Sequence, residues 1–267
     1  MAVLGYEVKD NVAIVTLNRP KALNSVNPEL ACALADAWVA ARDDDNVRVI
    51  IVTGTGRAFC TGDDLKEGAP LLTGARKPEN DWDRRVVGRE NVLMKAFLRD
   101  MDCEKPMITA VNGFAVGGGC EIVHASDIRV ASSEAKFGLG EVRWALFPLS
   151  GSTVRLPVQI PYARAMELLL TGANISAQEA EKIGFVNYVV PPDQLMAKAM
   201  AIAGLIKANG PFAVKQIRAS VKACLGVPEK MAFKIEEQYS ESVKRSEDSK
   251  EGPKAFMEKR KAVYKGR

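Results

Sequence analysis

Three short segments of this 267-residue chain hold residue types at spacings that can do chemistry. The first is Gly117-Gly118-Gly119, placed where a strand should pass into a helix. Backbone N–H groups at a helix start point at negative charge, and glycines let a ligand come close without side chains in the way. The plainer alternative is a helix-strand crossing that merely needs small residues. The spacing is not GxGxxG, because three non-glycines follow Gly113, and it lacks the Lys-Ser/Thr ending of a P-loop. Glu121 follows in the first helical turn, where the dipole favours its charged form by about 0.3 to 1 kcal/mol.

The second segment, AKFGLGEVRWALFP, surrounds Glu141 with apolar residues and glycines, a setting that desolvates a carboxylate and raises its pKa. Two glutamates near one anion-binding site can divide general acid and general base roles. Each also has a plain reading, helix-terminus charge complementarity for Glu121 and a water-facing loop for Glu141. The third segment, Arg57 to Lys66, puts Gly62 and Asp63 directly after an apolar strand, with an ordinary Asx turn as its alternative.

Other chemistries fall away. A single histidine, His124, rules out histidine-rich metal sites, and no GxSxG elbow surrounds Ser150 or Ser152. His124 lies three residues after Glu121 and reads as a packed or capped side chain rather than a catalyst. Cys60 and Cys120 flank the two glycine loops and read as small packing residues. The five cysteines are odd in number and widely spaced, without a CxxC pair, which suggests reduced thiols. A net charge of +4 is too slight for a dedicated nucleic-acid binder. The amino terminus has no basic-then-apolar leader, and no run of 18 apolar residues follows. The expectation is a cytoplasmic protein with neither membrane nor nucleic-acid partner.

The elements that must hold these segments alternate between strand and helix, on a composition (47% hydrophobic, 26% charged) typical of folded domains. Val12 to Leu17 predicts a strand, and Asn27-Pro28 caps a helix with Leu30, Leu34, Trp38 and Ala41 on one face. Val47 to Val52 reads as a strand buried on both faces. Glu67 to Val92 lacks a clear period until its last third and predicts a long surface excursion. Strands follow at Met107 to Val111 and Ile128 to Ala131, with a helix from the glycine triplet to about Ala125 between them. Beyond Pro161 come helices over Ala163 to Leu170 and, capped by Ser176, through Lys182, then a strand at Val186 to Val190. After Asn209-Gly210-Pro211 the chain is almost wholly helical and charged. The repeated strand and helix units define an α/β class.

Taken in order, VAIVTLNRPKALNSVNPEL, VIIVTGTGRAFCTGDDLKE, KPMITAVNGFAVGGGCEIVHASDIRVASSEAKFGLGEV, LLLTGANISAQEAEKIGFVNYVVP and EGPKAFMEKRKAVYKG resemble the crotonase superfamily, the enoyl-CoA hydratase and isomerase group. The resemblance covers nearly the whole chain. It implies a crotonase-like spiral of ββα units over residues 1–208, with a C-terminal helical region over 209–267 that packs into homotrimers, usually paired into hexamers. It further implies an acyl-CoA substrate, no metal, and no cofactor apart from the coenzyme A carried by the substrate.

Carried over by position, the resemblance assigns an oxyanion hole to the backbone N–H groups of Asp63 and Gly118, and catalysis to Glu121 and Glu141. Glu121 would activate water for attack at Cβ, and Glu141 would supply the proton to Cα. Asp64, Leu65, Lys66, Gly117, Phe256 and Lys259 would border the substrate and its CoA. This chain has Thr61-Gly62-Asp63 where relatives commonly have Ala-Gly before the oxyanion position, and Leu139-Gly140 where they have Gln-Pro. Farther on, Pro148-Leu149 stands where hydratases have Pro-Gly. The implied activity is hydration of a 2-enoyl-CoA. Another crotonase activity, as isomerase, hydrolase or lyase, and a non-enzymatic scaffold or RNA-binding homologue are the alternatives.

Overall fold

A computed structural model describes residues 2–267. The first half of the chain runs β1 (Leu4–Lys9), β2 (Val12–Leu17), α1 (Pro28–Asp43), β3 (Val49–Gly54), β4 (Ala58–Cys60), α2 (Gly68–Leu72), α3 (Asp81–Val87), α4 (Val92–Ala96), β5 (Met107–Val111), β6 (Phe114–Val116) and α5 (Gly118–Ala125). The second half runs β7 (Ile128–Ser132), β8 (Lys136–Gly138), α6 (Ser152–Gln159), α7 (Tyr162–Thr171), β9 (Ile175–Ser176), α8 (Ala177–Lys182), β10 (Tyr188–Val190), α9 (Leu195–Lys207), α10 (Pro211–Cys224), α11 (Glu229–Lys244) and α12 (Asp248–Met257).

Two sheets organise the fold. The larger has the order β1-β2-β3-β5-β7-β10, parallel throughout except for the β1-β2 hairpin. Val49, Ile50, Ile51 and Val52 are all buried, as their unbroken apolar run requires. Ile50 and Val52 join the main core with Trp38 and Leu34 of α1, while Val49 and Ile51 face Leu195, Ala199 and Ile202 of α9. Asn27 caps α1 by accepting a hydrogen bond from the Leu30 N–H, and Pro28 takes the first helical position.

The smaller sheet, β4-β6-β8-β9, is the part that sequence reading missed. Its strands are only two or three residues long, too short to display an alternating pattern. β4, β6 and β8 run parallel, and each is the short second strand after a long one of the larger sheet. Residues 67–92 are also more ordered than expected: α2 and α3 fall within them, and each is too short to set up a period. Leu71, Val86 and Val92 anchor the segment in the core beside α1.

The C-terminal helices have a different character. Neither α10 nor α11 has a buried residue, and Ile217, Val221, Met231 and Phe233 are exposed. Ion pairs tie α10 to the core, Arg218 to Asp102 and Asp127 at 2.7 and 2.8 Å, and Lys222 to Asp102 at 3.0 Å. Among the described residues, no helix is long and apolar enough to cross a membrane.

Candidate active site

Parallel strands that end side by side present their next residues to a common cleft. β4 leads into Gly62-Asp63, β6 into Gly117-Gly118, and β8 through Leu139-Gly140 to Glu141. The loops after β4 and β6 touch: a Cβ on Gly62 would lie 2.9 Å from the Gly118 nitrogen. Gly62 has φ +82 and Gly117 φ +55, a left-handed backbone that glycine adopts without strain. Gly119 has a separate reason, because a Cβ there would meet the Cys60 carbonyl oxygen at 2.1 Å. The close helix-strand crossing thus accounts for Gly119, and the ring of Phe97, 2.5 Å from where a Gly118 Cβ would stand, leaves no room for a side chain at Gly118 either.

Two backbone N–H groups are left over at this junction. The Val26 N–H donates to the Gly62 oxygen, and the Asp64 N–H donates to the Val26 oxygen. This parallel bridge uses the groups on either side of Asp63 and turns the Asp63 N–H the other way. Gly118 is the first residue of α5, so its N–H has no partner within the helix. Neither N–H is hydrogen-bonded among the described residues.

Asp64, expected to border substrate, has its carboxylate engaged within the protein. Its carboxylate is held by Arg19 at 2.9 Å and the Ser25 hydroxyl at 3.0 Å, and it accepts from the Lys66 and Glu67 N–H groups. Those bonds hold its pKa below the ordinary carboxylate value against the effect of burial, and they commit the side chain to shaping the loop. Leu65 and Lys66 stay exposed on the same loop. Phe256 and Lys259 lie in and just beyond α12, also exposed, and neither forms a hydrogen bond or ion pair with the cleft groups among the described residues.

The two glutamates occupy the cleft's inner wall. Glu121, on the first turn of α5, is 3% exposed, and its Oε1 accepts from the Ser150 N–H at 2.8 Å and the Ser152 hydroxyl at 2.9 Å. Its pKa is raised by burial, which outweighs these bonds. Glu141 is half-buried, with Oε1 about 3.5 Å from where a Gly117 Cβ would stand. Burial pushes its pKa up to about 7, with Glu121 and Asp63 adding repulsion. Its Oε2 is buried without a hydrogen-bond partner among the described residues.

Asp63 faces the same cleft. Although its side chain is open to solvent, surrounding protein and the charge of Glu121 raise its pKa to about 6. No hydrogen bond or ion pair reaches its carboxylate among the described residues. His124 is fully buried, and its Nε2 sits 3.1 Å from the Ser152 hydroxyl oxygen. Burial holds its pKa well below the usual value, so the ring is neutral. With Ser152 donating to Glu121, the consistent tautomer places the proton on Nε2, donating to Ser152. His124 is thus a buried support for the glutamate's hydrogen bonds. The Cys60 thiol is pushed up to about 12 by burial and is no nucleophile, and Cys120 is likewise buried and raised. No group of three metal-ligating side chains occurs among the described residues.

Sequence reasoning missed Arg19, Ser150 and Ser152. Arg19 carried no local signal, and the only one for Ser150 and Ser152 was Ser150-Gly151-Ser152 at a helix start, with Gly151 in the left-handed region as N-cap.

The spiral of paired sheets and this strand-end cleft match a known family. The profile of the enoyl-CoA hydratase/isomerase family covers residues 7–267, and the chain belongs to that family. It is 42% identical over 261 residues to an enoyl-CoA hydratase of Mycobacterium tuberculosis, covering 98% of this chain and 96% of that protein. It is 38% identical to the (E)-benzylidenesuccinyl-CoA hydratase of Thauera aromatica, across 97% of this chain and 98% of that one. The crystal structure of an enoyl-CoA hydratase from Mycobacterium marinum superposes with a TM-score of 0.89 at 38% identity, covering 100% of both chains.

Proposed function

We propose that this protein is an enoyl-CoA hydratase, adding water across the 2,3 double bond of a 2-enoyl-CoA. The observation that carries the reading is two glutamates of unlike environment, Glu121 buried and Glu141 half-buried, beside a pair of unengaged backbone N–H groups, Asp63 and Gly118. The thioester oxygen sits between those two donors. As water attacks Cβ, its proton passes to the Glu121 carboxylate and the π electrons move onto the thioester oxygen as an enolate. The two N–H donors stabilise that charge, and losing one such donor typically costs roughly 3 to 4 kcal/mol. The enolate collapses by taking the Glu141 proton at Cα. Glu121 is left protonated and Glu141 ionised, and proton exchange through solvent restores both. The chemistry draws on carboxylates and backbone dipoles and calls for no metal or separate cofactor.

Leu65 and Lys66 flank the CoA moiety on the exposed edge of the β4 loop, with Lys66 offering a cation to its phosphates. Phe256 and Lys259 approach the adenosine end, with a neighbouring subunit's copies as the source in the assembly. That assembly is a homotrimer or a pair of trimers. Support comes from the uncovered apolar residues of α10 and α11, among them Ile217, Met231 and Phe233. Light scattering at micromolar concentration should give a trimer or hexamer mass; a stable monomer would reject the assembly.

Incubation with crotonyl-CoA, with the product identified as 3-hydroxybutyryl-CoA, tests the activity. An isomerised or hydrolysed product, or binding without turnover, would replace the reading with another activity of the family.

A further inference from the structure

The hydratase reading assigns a role to the Asp63 N–H but none to its carboxylate. That carboxylate stands at the end of β4, one strand from the Glu121 helix and two strands from the β8 loop that carries Glu141. No cation or hydrogen-bond donor engages it among the described residues, whereas the next residue, Asp64, is engaged by Arg19, Ser25 and two N–H groups. Glu141 lies across the neighbouring contact between Gly62 and Gly117, where a Gly117 Cβ would stand 3.7 Å from the Gly62 Cα and 3.5 Å from Glu141 Oε1. Its Oε2 is buried with no donor to satisfy it among the described residues. An ionised carboxylate tolerates such an orphaned oxygen poorly, while a neutral carboxyl can keep its proton there.

We propose that the Asp63 side chain is a positioning residue for the proton: an unpaired negative charge on the β4 loop that keeps the Glu141 carboxyl in its protonated, donating form. Among the described residues, none of the other groups around Glu141 is a cation paired with it, and Glu121 acts in the same sense as Asp63 and more strongly. From α5 come Glu121, also negative, and Cys120, a neutral buried thiol. From its own turn comes Arg143, which reaches the Thr171 carbonyl instead. Arg155, from α6, donates to the Leu98 carbonyl and lies within the field of Glu121. Asp63 is open to solvent while the Glu141 Oε2 is buried without a donor among the described residues, so on rising pH the charge settles on Asp63 first. The two titrate as a coupled set. The proposal relies on the hydratase reading only for the use made of the Glu141 proton.

The test is a carbon-13 NMR titration of the glutamate carboxyls in the full chain, comparing wild type with Asp63→Asn and using Glu141→Gln to assign the resonance. Asparagine keeps the size and the backbone N–H while removing the charge. Removing one carboxylate charge from a solvent-open position typically lowers the midpoint of a neighbouring carboxyl by roughly half a unit. The Glu141 midpoint should fall by that amount, and the falling limb of kcat/KM against pH should move down with it. Asp63→Ala, which also lacks the charge, should reproduce the shift if Asp63→Asn folds poorly. An unmoved Glu141 midpoint in a folded variant overturns the proposal, whatever happens to the rate. Absence of hydration by the wild type would instead sink the hydratase reading, and the titration would still decide the Asp63 role.

Discussion

The cleft holds two glutamates whose surroundings differ in kind. Around Glu121 the chain supplies donors: Ser150 and Ser152 bond its Oε1, and His124 braces Ser152 from behind. Around Glu141 it supplies repulsion and an orphaned oxygen, with Asp63 and Glu121 nearby and no donor on Oε2. Burial raises both pKa values; side-chain and backbone donors from Ser150 and Ser152 restrain the first, whereas a backbone hydrogen bond within its own turn is the only restraint on the second. The lesson is that a base and an acid can be made from one residue type by distributing hydrogen-bond donors unequally across a cleft.

The most severe way to break this contrast is to remove either proton carrier. Glu121→Gln and Glu141→Gln should each lower kcat for crotonyl-CoA by roughly 10² to 10⁴-fold with little change in ligand affinity. Calorimetry with acetoacetyl-CoA checks the affinity. The double variant should lose far less than the product of the two, because the pair acts on one water and one substrate.

A finer cut removes the donors and keeps the glutamate. Ser152→Ala deletes a hydrogen bond to an ionised group, typically about 1.5 to 3 kcal/mol, so a rate loss of roughly tenfold or more is expected. Its distinctive sign is in the pH profile: with less stabilisation of the charged form, the rising limb assigned to Glu121 should move to higher pH. A loss of rate without that movement would make Ser152 a packing residue only.

The smallest expected effect is on stability. The folded-state pKa of Glu141, about 7, exceeds its ordinary value of 4.5, so the folded protein binds more protons across that window. Stability contributed by the neutral carboxyl is present below about 4.5 and is lost as pH rises through about 7. Glu141→Gln, neutral at every pH, should be more stable than wild type at pH 8. Solvent screening at this half-buried site reduces the gain to on the order of 1 kcal/mol. Thermal melts at pH 5 and pH 8 measure it, and an equal difference at both would detach the effect from titration.

How much of this was legible in the sequence divides between the two sheets. β3 and β5 announce themselves as apolar runs because both their faces are buried, and α1 does so through Asn27-Pro28 and its helical period. β4, β6 and β8 carry the cleft yet span three residues each, so their strand character comes from pairing with one another and not from pattern. Among the site residues, Glu121 and Glu141 stood out by their settings, the glycine helix start and the apolar loop. Their separate characters were not legible, because the donors to Glu121 come from Ser150 and Ser152, 29 and 31 residues away. The engagement of the Asp64 carboxylate was illegible for a related reason: its partner Arg19 lies 45 residues off, and only the fold brings them together.

The central claim, that one glutamate is held ionised and the other protonated, is tested most directly by infrared difference titration of the carboxyl groups in wild type, Glu121→Gln and Glu141→Gln. The protonated-carboxyl band that disappears near pH 7 in wild type should remain, at a somewhat lower midpoint, in Glu121→Gln and be absent from Glu141→Gln, where only the Asp63 band lost near pH 6 is left. Persistence of the higher band in Glu141→Gln and its loss in Glu121→Gln would reverse the two roles and contradict the account.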